Sequence, residues 1–179
     1  MLTTAPSGNE RFETLVLPWL PAAYNVARWL TRNRVDAEDV VQEAFLRAFK
    51  YFDSYQGGDV RAWLLQIVRN TAHTWLAANR PAGQISVTPD LLESQPAGDG
   101  MRDPAESALT DSASRFIRAA VAELPMEYRE VLVLREFEEL SYREIAAIIA
   151  APIGTVMSRL SRARDQLAAS VKATKRGRP

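Results

Sequence analysis

Serines and arginines recur through the segment TVMSRLSRARDQL, residues 155–167, in a pattern suited to contacting DNA. At helical spacing, Val156, Leu160, Ala163 and Leu167 share one narrow face that would anchor a helix in a core. The opposite face carries small hydroxyl groups and an arginine that can reach base edges in a major groove, while arginines at its sides can hold phosphates. The candidate contacts are Thr155, Met157, Ser158, Arg159, Ser161, Arg162 and Arg164.

The residues before this segment predict the element that would present it to DNA. Ser141 and Glu144 stand at the spacing of a capping box, in which the hydroxyl and the carboxylate satisfy each other's backbone amides. They open a short apolar helix that ends near a turn at 150–154, which contains Gly154. Short helix, turn and basic second helix form a helix-turn-helix pattern. An ordinary helical hairpin with a basic surface is the alternative.

A second group of polar side chains lies on VRAWLLQIVRNTAHTWL, residues 60–76, after a loop of turn-forming residues that contains Tyr55. One face of this predicted helix is apolar, and its residues are Val60, Leu64, Ile67, Val68, Thr71 and Trp75. Gln66, Arg69, Asn70 and His73 gather on the other side. Polar groups beside an aromatic loop suit the backbone and bases of single-stranded DNA. A solvated face, with the tryptophans in the core, is the alternative.

A third candidate surface lies on the helix predicted from DAEDVVQEAFLRAFKYF, residues 36–52, with Asp36 as its N-cap. Its apolar face consists of Val41, Phe45, Ala48 and Phe52, with Ala44 and Phe49 at its sides. The opposite face carries Asp39, Gln42, Glu43, Leu46 and Lys50. A leucine among acidic groups could form a docking surface. Periodicity alone favours a solvated face with one exposed leucine, which is common in proteins.

The distribution of residues predicts two compact units. Residues 79–104 contain four prolines and lack a helical or strand period, which is typical of a linker. Helical periodicity dominates both flanks. We therefore predict an all-α fold of two small helical domains joined by a flexible linker, the C-terminal one with a helix-turn-helix. The predicted boundaries are 10–78, a linker at 79–111, 112–172, and a basic tail at 173–179.

Charge and composition exclude several classes of protein. The net charge of the 179 residues is zero, yet residues 150–179 hold seven basic side chains and one acidic side chain. The chain has no cysteine and one histidine, so we expect no disulfide, no metal site and no cofactor. It also lacks a glycine-rich phosphate loop, so we expect no catalytic residues and no enzyme such as a nuclease. No apolar run suits membrane insertion and the N-terminus does not resemble a signal peptide, so we expect a cytoplasmic protein.

Three stretches, in this order and spacing, resemble the extracytoplasmic-function sigma factors of bacterial RNA polymerase. They are DAEDVVQEAFLRAFKYFDSY, RAWLLQIVRNTA and ELPMEYREVLVLREFEELSYREIAAIIAAPIGTVMSRLSRAR. Each alone is weakly specific, but the ordered set is highly specific. The resemblance implies a protein that binds core RNA polymerase, recognises promoter DNA and promotes its opening at initiation. It also implies control by an anti-sigma factor. A helix-turn-helix regulator that acts without polymerase is the alternative.

The resemblance also assigns roles to residues. In the family, the DAED segment binds the clamp helices of the largest polymerase subunit, which favours a docking surface here at Asp36, Asp39, Gln42, Glu43 and Leu46. The following loop captures a flipped minus-ten base in the family. With the polar helical face behind it, the candidate minus-ten site is Tyr55, Gln56, Gly57, Gly58, Asp59, Arg61, Gln66, Arg69, Asn70 and His73.

The basic helix of the C-terminal unit would read the minus-thirty-five element as a duplex. Relatives usually carry Lys or Arg at the position of Met157, so this chain departs from the family pattern there. The departure predicts either weaker binding or a contact between Met157 and a thymine methyl group. The linker would let the two units close around a partner or spread along DNA.

Overall fold

The computed structural model describes residues 8–79 and 115–176, and every regular element in these ranges is helical. The helices are α1 Gly8–Val16, α2 Leu20–Thr31, α3 Arg34–Tyr51, α4 Val60–Asn79, α5 115–123, α6 Met126–Glu136, α7 Tyr142–Ile149 and α8 Ile153–Arg176. Two short 3₁₀ turns, Leu17–Trp19 and Phe52–Ser54, follow α1 and α3. The predicted all-α fold with two helical units is confirmed. The predicted linker beyond residue 79 and the end of the basic tail lie outside the described residues.

The N-terminal unit is a bundle in which α2, α3 and α4 pack on one another, with α1 against α4. Fully buried aliphatic side chains such as Leu30, Val40, Leu64 and Val68 fill its centre. They recur at helical spacing, so each helix buries one stripe and leaves the opposite face to other contacts. The predicted apolar stripe of α3 is buried at Val41, Ala48 and Phe52, whereas Phe49 beside it is 51% exposed.

The start of α3 differs from the prediction. Asn33, not Asp36, is the N-cap: its side-chain oxygen accepts hydrogen bonds from the amides of Val35 (2.8 Å) and Asp36 (3.3 Å). The chain turns earlier because Arg32 adopts a left-handed conformation, φ 60°, which ends α2. Asp36 therefore lies in the first turn of α3, where a carboxylate favours the helix dipole.

The C-terminal unit contains the predicted helix-turn-helix. Ser141 and Glu144 form both hydrogen bonds of the capping box at the start of α7. The turn after α7 is made by Ala150 in a left-handed conformation, φ 52°, and not by Gly154, which already lies in the first turn of α8. Pro125 is the N-cap of α6.

The two units pack directly against each other, with α2 on α6 and α4 on α7. The rings of Trp29 and Phe137 meet across this boundary with their centroids 5.0 Å apart. The buried guanidinium of Arg129 donates to the carbonyl oxygens of Ala122 and Leu124 within its own unit, and to that of Leu30 in the other unit at 3.4 Å. One continuous apolar core therefore runs through both units.

Among the described residues, no single helix is long and apolar enough to cross a membrane. Helices α7 and α8 are long and apolar enough only when they are taken together, and the chain bends by 101° between them.

Two glycine substitutions should change stability in opposite directions. Gly58→Ala should lower the free energy of unfolding by about 1 kcal/mol or more, because φ is +100° at this position and a Cβ is strained there. Gly154→Ala should raise it by about 0.4–1 kcal/mol, since Gly154 is helical with open space around it and alanine restricts the unfolded chain. Urea denaturation followed by circular dichroism measures both. Changes of the same sign in the two variants would contradict these conformations.

Candidate functional site

The candidate polymerase face is accessible on α3. Leu46 is 61% exposed, Gln42 is exposed, and Asp36, Asp39 and Glu43 are partly exposed. Glu43 accepts a hydrogen bond from Nε of Arg47 at 2.7 Å. A surface depression next to Leu46 is lined by Glu43, Leu46, Arg47, Lys50 and Tyr51. An apolar side chain in a depression ringed by charges has the composition of a protein-binding surface.

Sequence reasoning missed Arg47 and Tyr51 as part of this surface. Both follow Glu43 at intervals of four residues, so helical spacing alone could have found them. Tyr51 is 54% exposed, and the ammonium of Lys50 lies 5.6 Å from the centre of its ring.

The loop between α3 and α4 has an exposed tip and an anchored base. Gln56, Gly57, Gly58 and Asp59 are exposed, and both glycines have positive φ angles. Tyr55 differs from them, because its ring packs against Phe52 and Trp63 and its hydroxyl donates to the carbonyl oxygen of Gly58 at 2.6 Å.

Asp59 caps α4, since its carboxylate accepts hydrogen bonds from the amides of Arg61 (2.9 Å) and Ala62 (3.1 Å). In the predicted base-contacting loop, Tyr55 therefore also stabilises the loop itself, and Asp59 also stabilises the start of α4.

The polar face of α4 contacts the C-terminal unit. Nε and Nη2 of Arg69 donate to the carboxylate of Glu130 at 3.0 and 3.3 Å, and Nε2 of His73 lies 2.8 Å from the same group. The side chain of Gln66 donates to the carbonyl oxygen of Ala147 at 3.3 Å. The structure thus brings these candidate minus-ten residues together against one surface, with Asn70 exposed beside them.

Arg61, at the start of α4, makes a similar contact. Its Nη2 donates to Glu138 at 2.6 Å, and its guanidinium lies 5.2 Å from the centre of the Trp19 ring. The side chain of Asn25 donates to the other oxygen of Glu138, also at 2.6 Å. Both Glu130 and Glu138 are almost completely buried.

Sequence reasoning missed Glu130 and Glu138. Glu130 stands four residues after Met126 and four before Leu134, so it occupies the buried stripe of α6. A charged residue in a core stripe signals a buried ion pair, because burying an unpaired charge is costly. Burial by itself would raise the pKa of Glu130, but hydrogen bonds from His73 and Arg69 outweigh it and lower the pKa below its usual value. The carboxylate is therefore ionised at neutral pH.

The candidate duplex-reading face of α8 lies opposite its buried side. Val156, Leu160 and Ala163 are buried, which confirms the predicted anchor. The exposed side carries Met157, Ser158, Ser161, Arg162 and Arg164, with Thr155 partly exposed.

The arginines of α8 differ in their contacts. Arg159 is bonded to Glu127 and Glu130, each at 3.3 Å, and Arg164 to Glu136 at 2.8 Å. Within the described residues, Arg162 has no ion-pair partner. It is therefore more available to a base edge than Arg159 or Arg164.

The sequence matches two regions of one protein family. Residues 15–81 match Sigma-70 region 2, and residues 116–167 match Sigma-70, region 4. The chain is 32% identical to the RNA polymerase sigma-H factor of Pseudomonas aeruginosa, over 89% of this chain and 86% of that protein. It is 36% identical to the ECF RNA polymerase sigma-E factor of Escherichia coli K12, over 74% of this chain and 72% of that protein.

Two solved structures are similar in fold. The sigma factor RpoE of Bartonella quintana, in complex with the anti-sigma factor NepR, matches with a TM-score of 0.72 and 28% identity, covering 90% of this chain and 97% of that chain. CnrH, in complex with the cytosolic domain of CnrY, matches with a TM-score of 0.64 and 28% identity, covering 93% and 92%.

The contribution of Glu130 to stability should depend on pH. Because its pKa is lower in the folded state than the ordinary value of 4.5, its stabilising effect is complete above that pH. The effect is lost as pH falls through the lower folded pKa. The difference in unfolding free energy between wild type and Glu130→Gln should therefore shrink as pH falls below 4.5. Urea denaturation over a pH series measures it, and a difference that grows on acidification would contradict this pairing.

Proposed function

This chain belongs to the extracytoplasmic-function sigma factors of bacterial RNA polymerase, and from that premise we propose how its surfaces perform promoter recognition. It binds core polymerase, recognises specific promoters and promotes DNA opening at transcription initiation. The observation that carries the assignment of surfaces is that one chain combines the exposed Leu46 face of α3 with the exposed face of α8 in a helix-turn-helix. A regulator that acts without polymerase needs only the second.

The α3 face docks on the clamp helices of the largest polymerase subunit in this proposal. Exposed Leu46 supplies an apolar anchor, and Asp39 and Glu43 beside it supply negative charge for basic partner groups. A charged rim around an apolar anchor increases both the rate of association and the specificity of an interface. Asp36 and Gln42 extend the same face along the helix.

The loop after α3 and the polar face of α4 hold the separated minus-ten strand in this proposal. The exposed tip of the loop, Gln56–Gly58, is available to a flipped base. Arg61, Arg69 and His73 would hold phosphates once they leave Glu138 and Glu130, which they contact in this structure. Tyr55 and Asp59 shape the loop and α4 through the bonds described above, and they contact DNA only if those bonds rearrange.

The exposed side of α8 enters the major groove of the minus-thirty-five element. Ser158, Ser161 and Arg162 face base edges, and Arg159 and Arg164 hold phosphates, because the opposite side of α8 is fixed in the core. Met157 is 55% exposed and suits a thymine methyl group.

We further propose that an anti-sigma factor inhibits this protein, since both solved relatives described above are structures of complexes with a protein partner. The protein works in the cytoplasm, where promoter DNA and polymerase meet, without membrane insertion, cofactor or catalytic activity of its own. The proposed boundaries are 10–78, 79–111, 112–172 and 173–179, and the two matched family regions support the division into a polymerase-binding unit and a helix-turn-helix unit.

Reversing charge on the α3 face should abolish much of the affinity for core polymerase. Asp39→Arg combined with Glu43→Arg should weaken binding about tenfold or more, because like charges then meet across the interface. Fluorescence titration of labelled protein with core polymerase, in the absence of DNA, measures this. The matched control is Glu13→Arg with Glu139→Arg, which makes the same charge change at exposed sites elsewhere. Equal affinity of both double variants and wild type would reject this docking face.

Two arginines of α8 should behave differently on promoter DNA. Arg162→Ala should relax preference at one position of the minus-thirty-five element, where a bidentate pair with guanine contributes about 1–3 kcal/mol. Arg164→Ala should weaken all sequences alike and reduce the salt slope by about one phosphate. Binding across single-base promoter variants at several salt concentrations separates the two, with the exposed Gln166→Ala as a control on the same helix. A uniform loss for Arg162→Ala would make it a phosphate contact.

A further inference from the structure

Two large apolar side chains lie exposed on the first two turns of α8. Ile153 is 42% exposed and Met157 is 55% exposed, and they are four residues apart, so they are neighbours on one strip of the helix. Within residues 142–173 of the helix-turn-helix, no other large apolar side chain is exposed to this degree. These two residues form a small apolar surface, here called the Ile153–Met157 patch.

The same two turns of α8 do not offer an unpaired cation. Residues 153–160 contain one basic residue, Arg159, and its guanidinium is bonded to two glutamates of α6 at 3.3 Å each. Arg162, which has no ion-pair partner within the described residues, comes on the next turn. Guanine presents two acceptors in the major groove and is bound best by a bidentate cation. The Ile153–Met157 patch therefore does not suit a guanine edge.

Ser158 adds a hydrogen-bond acceptor next to the patch. It follows Met157 directly and is exposed, and its hydroxyl donates to the carbonyl oxygen of Thr155 at 3.0 Å. Because its donor is used within α8, its oxygen lone pairs remain for a donor from outside the helix. The donors that bases present in the major groove are the amino groups of adenine and cytosine. Ser158 therefore suits one of these two bases.

The chemistry of the base edges decides which pair fits both features. The apolar group that bases present in the major groove is the C5-methyl group of thymine, and the adenine paired with it presents an amino donor. A G·C pair also presents an amino group, on cytosine, but it has no methyl group. An A·T pair therefore matches both the Ile153–Met157 patch and the acceptor of Ser158, whereas a G·C pair matches only the acceptor.

We propose that the Ile153–Met157 patch reads the C5-methyl groups of thymines in the minus-thirty-five element, so that the first two turns of α8 select A·T pairs. The inference rests on the proposed function, in which α8 enters the major groove of that element. It adds Ile153 to the reading face and assigns the patch a ligand chemistry, the 5-methylpyrimidine edge. Cytosine methylated at C5 presents the same apolar group, so it should partly replace thymine there.

Removing methyl groups from the DNA tests this reading directly. Holoenzyme, assembled from the full chain and core polymerase, first selects its promoter from a duplex library randomised over both promoter elements. Each thymine of the selected minus-thirty-five element, on either strand, is then replaced singly by deoxyuridine, which lacks only the methyl group. At thymines under the patch the affinity should fall about fourfold, the effect of exposing one buried carbon group. Fluorescence anisotropy with labelled duplexes measures the thymine-to-uracil affinity ratio at each position.

Variants of α8 connect this ratio to the patch. Ile153→Ala combined with Met157→Ala should bring the ratio close to one, whereas Met157→Leu keeps an apolar side chain and should retain it. The matched control is Ile117→Ala, which makes the same change at a 50% exposed site on α5 and should leave the ratio unchanged. Each ratio compares two duplexes on the same protein, so a general loss of stability or of polymerase binding cancels. Circular dichroism checks the helical content of every variant.

The outcomes separate this inference from the proposed function. A ratio of one at every thymine, a ratio that the combined alanine variant leaves unchanged, or a selected element without A·T pairs would overturn methyl reading by the patch. If Arg162→Ala still relaxes preference at one position, the proposed reading face of α8 survives that result. Holoenzyme that selects no minus-thirty-five sequence at all would instead reject the reading face, and methyl reading with it.

Discussion

A carboxylate cannot be buried in a protein unless other groups replace the water that it loses. Glu130 meets this condition with Arg69 and His73 from one unit and Arg159 from its own unit. None of these partners is adjacent to Glu130 in the sequence, so the charge is satisfied only when α4, α6 and α8 take this arrangement. The position of the two units relative to each other depends on this constraint, together with the apolar contacts around it.

The same constraint links structure to function. The basic side chains that contact Glu130 and Glu138 belong to surfaces proposed to hold promoter DNA, so the packing of the folded chain and the proposed binding of DNA use the same groups. The proposed polymerase face differs, because Leu46 lies on a side of α3 that no other described element covers, at 61% exposure. In the proposed function, polymerase docking uses a surface that the described structure leaves exposed, whereas strand capture uses side chains that are already paired with Glu130 and Glu138.

Local structure followed the expected chemistry where partners were close in the sequence. The capping box of Ser141 and Glu144 formed as predicted because both bonds join residues three apart. The start of α3 and the turn after α7 differed from the prediction. Arg32 and Ala150 adopt left-handed conformations that any sequence rule would assign first to glycine or asparagine, and tertiary packing tolerates them.

The sequence by itself determined the helical fold, the division into two units, the family and the buried faces of α3, α4 and α8. Each of these depends on spacing within one helix or on the order of motifs along the chain. It also placed the polar face of α4, but as a surface open to solvent or DNA. Only the tertiary structure decided that Glu130 and Glu138 cover that face, because they lie about sixty to eighty residues away along the chain from Arg69 and Arg61. No periodicity encodes a pairing across two units; it arises when separate helices bury a charge together.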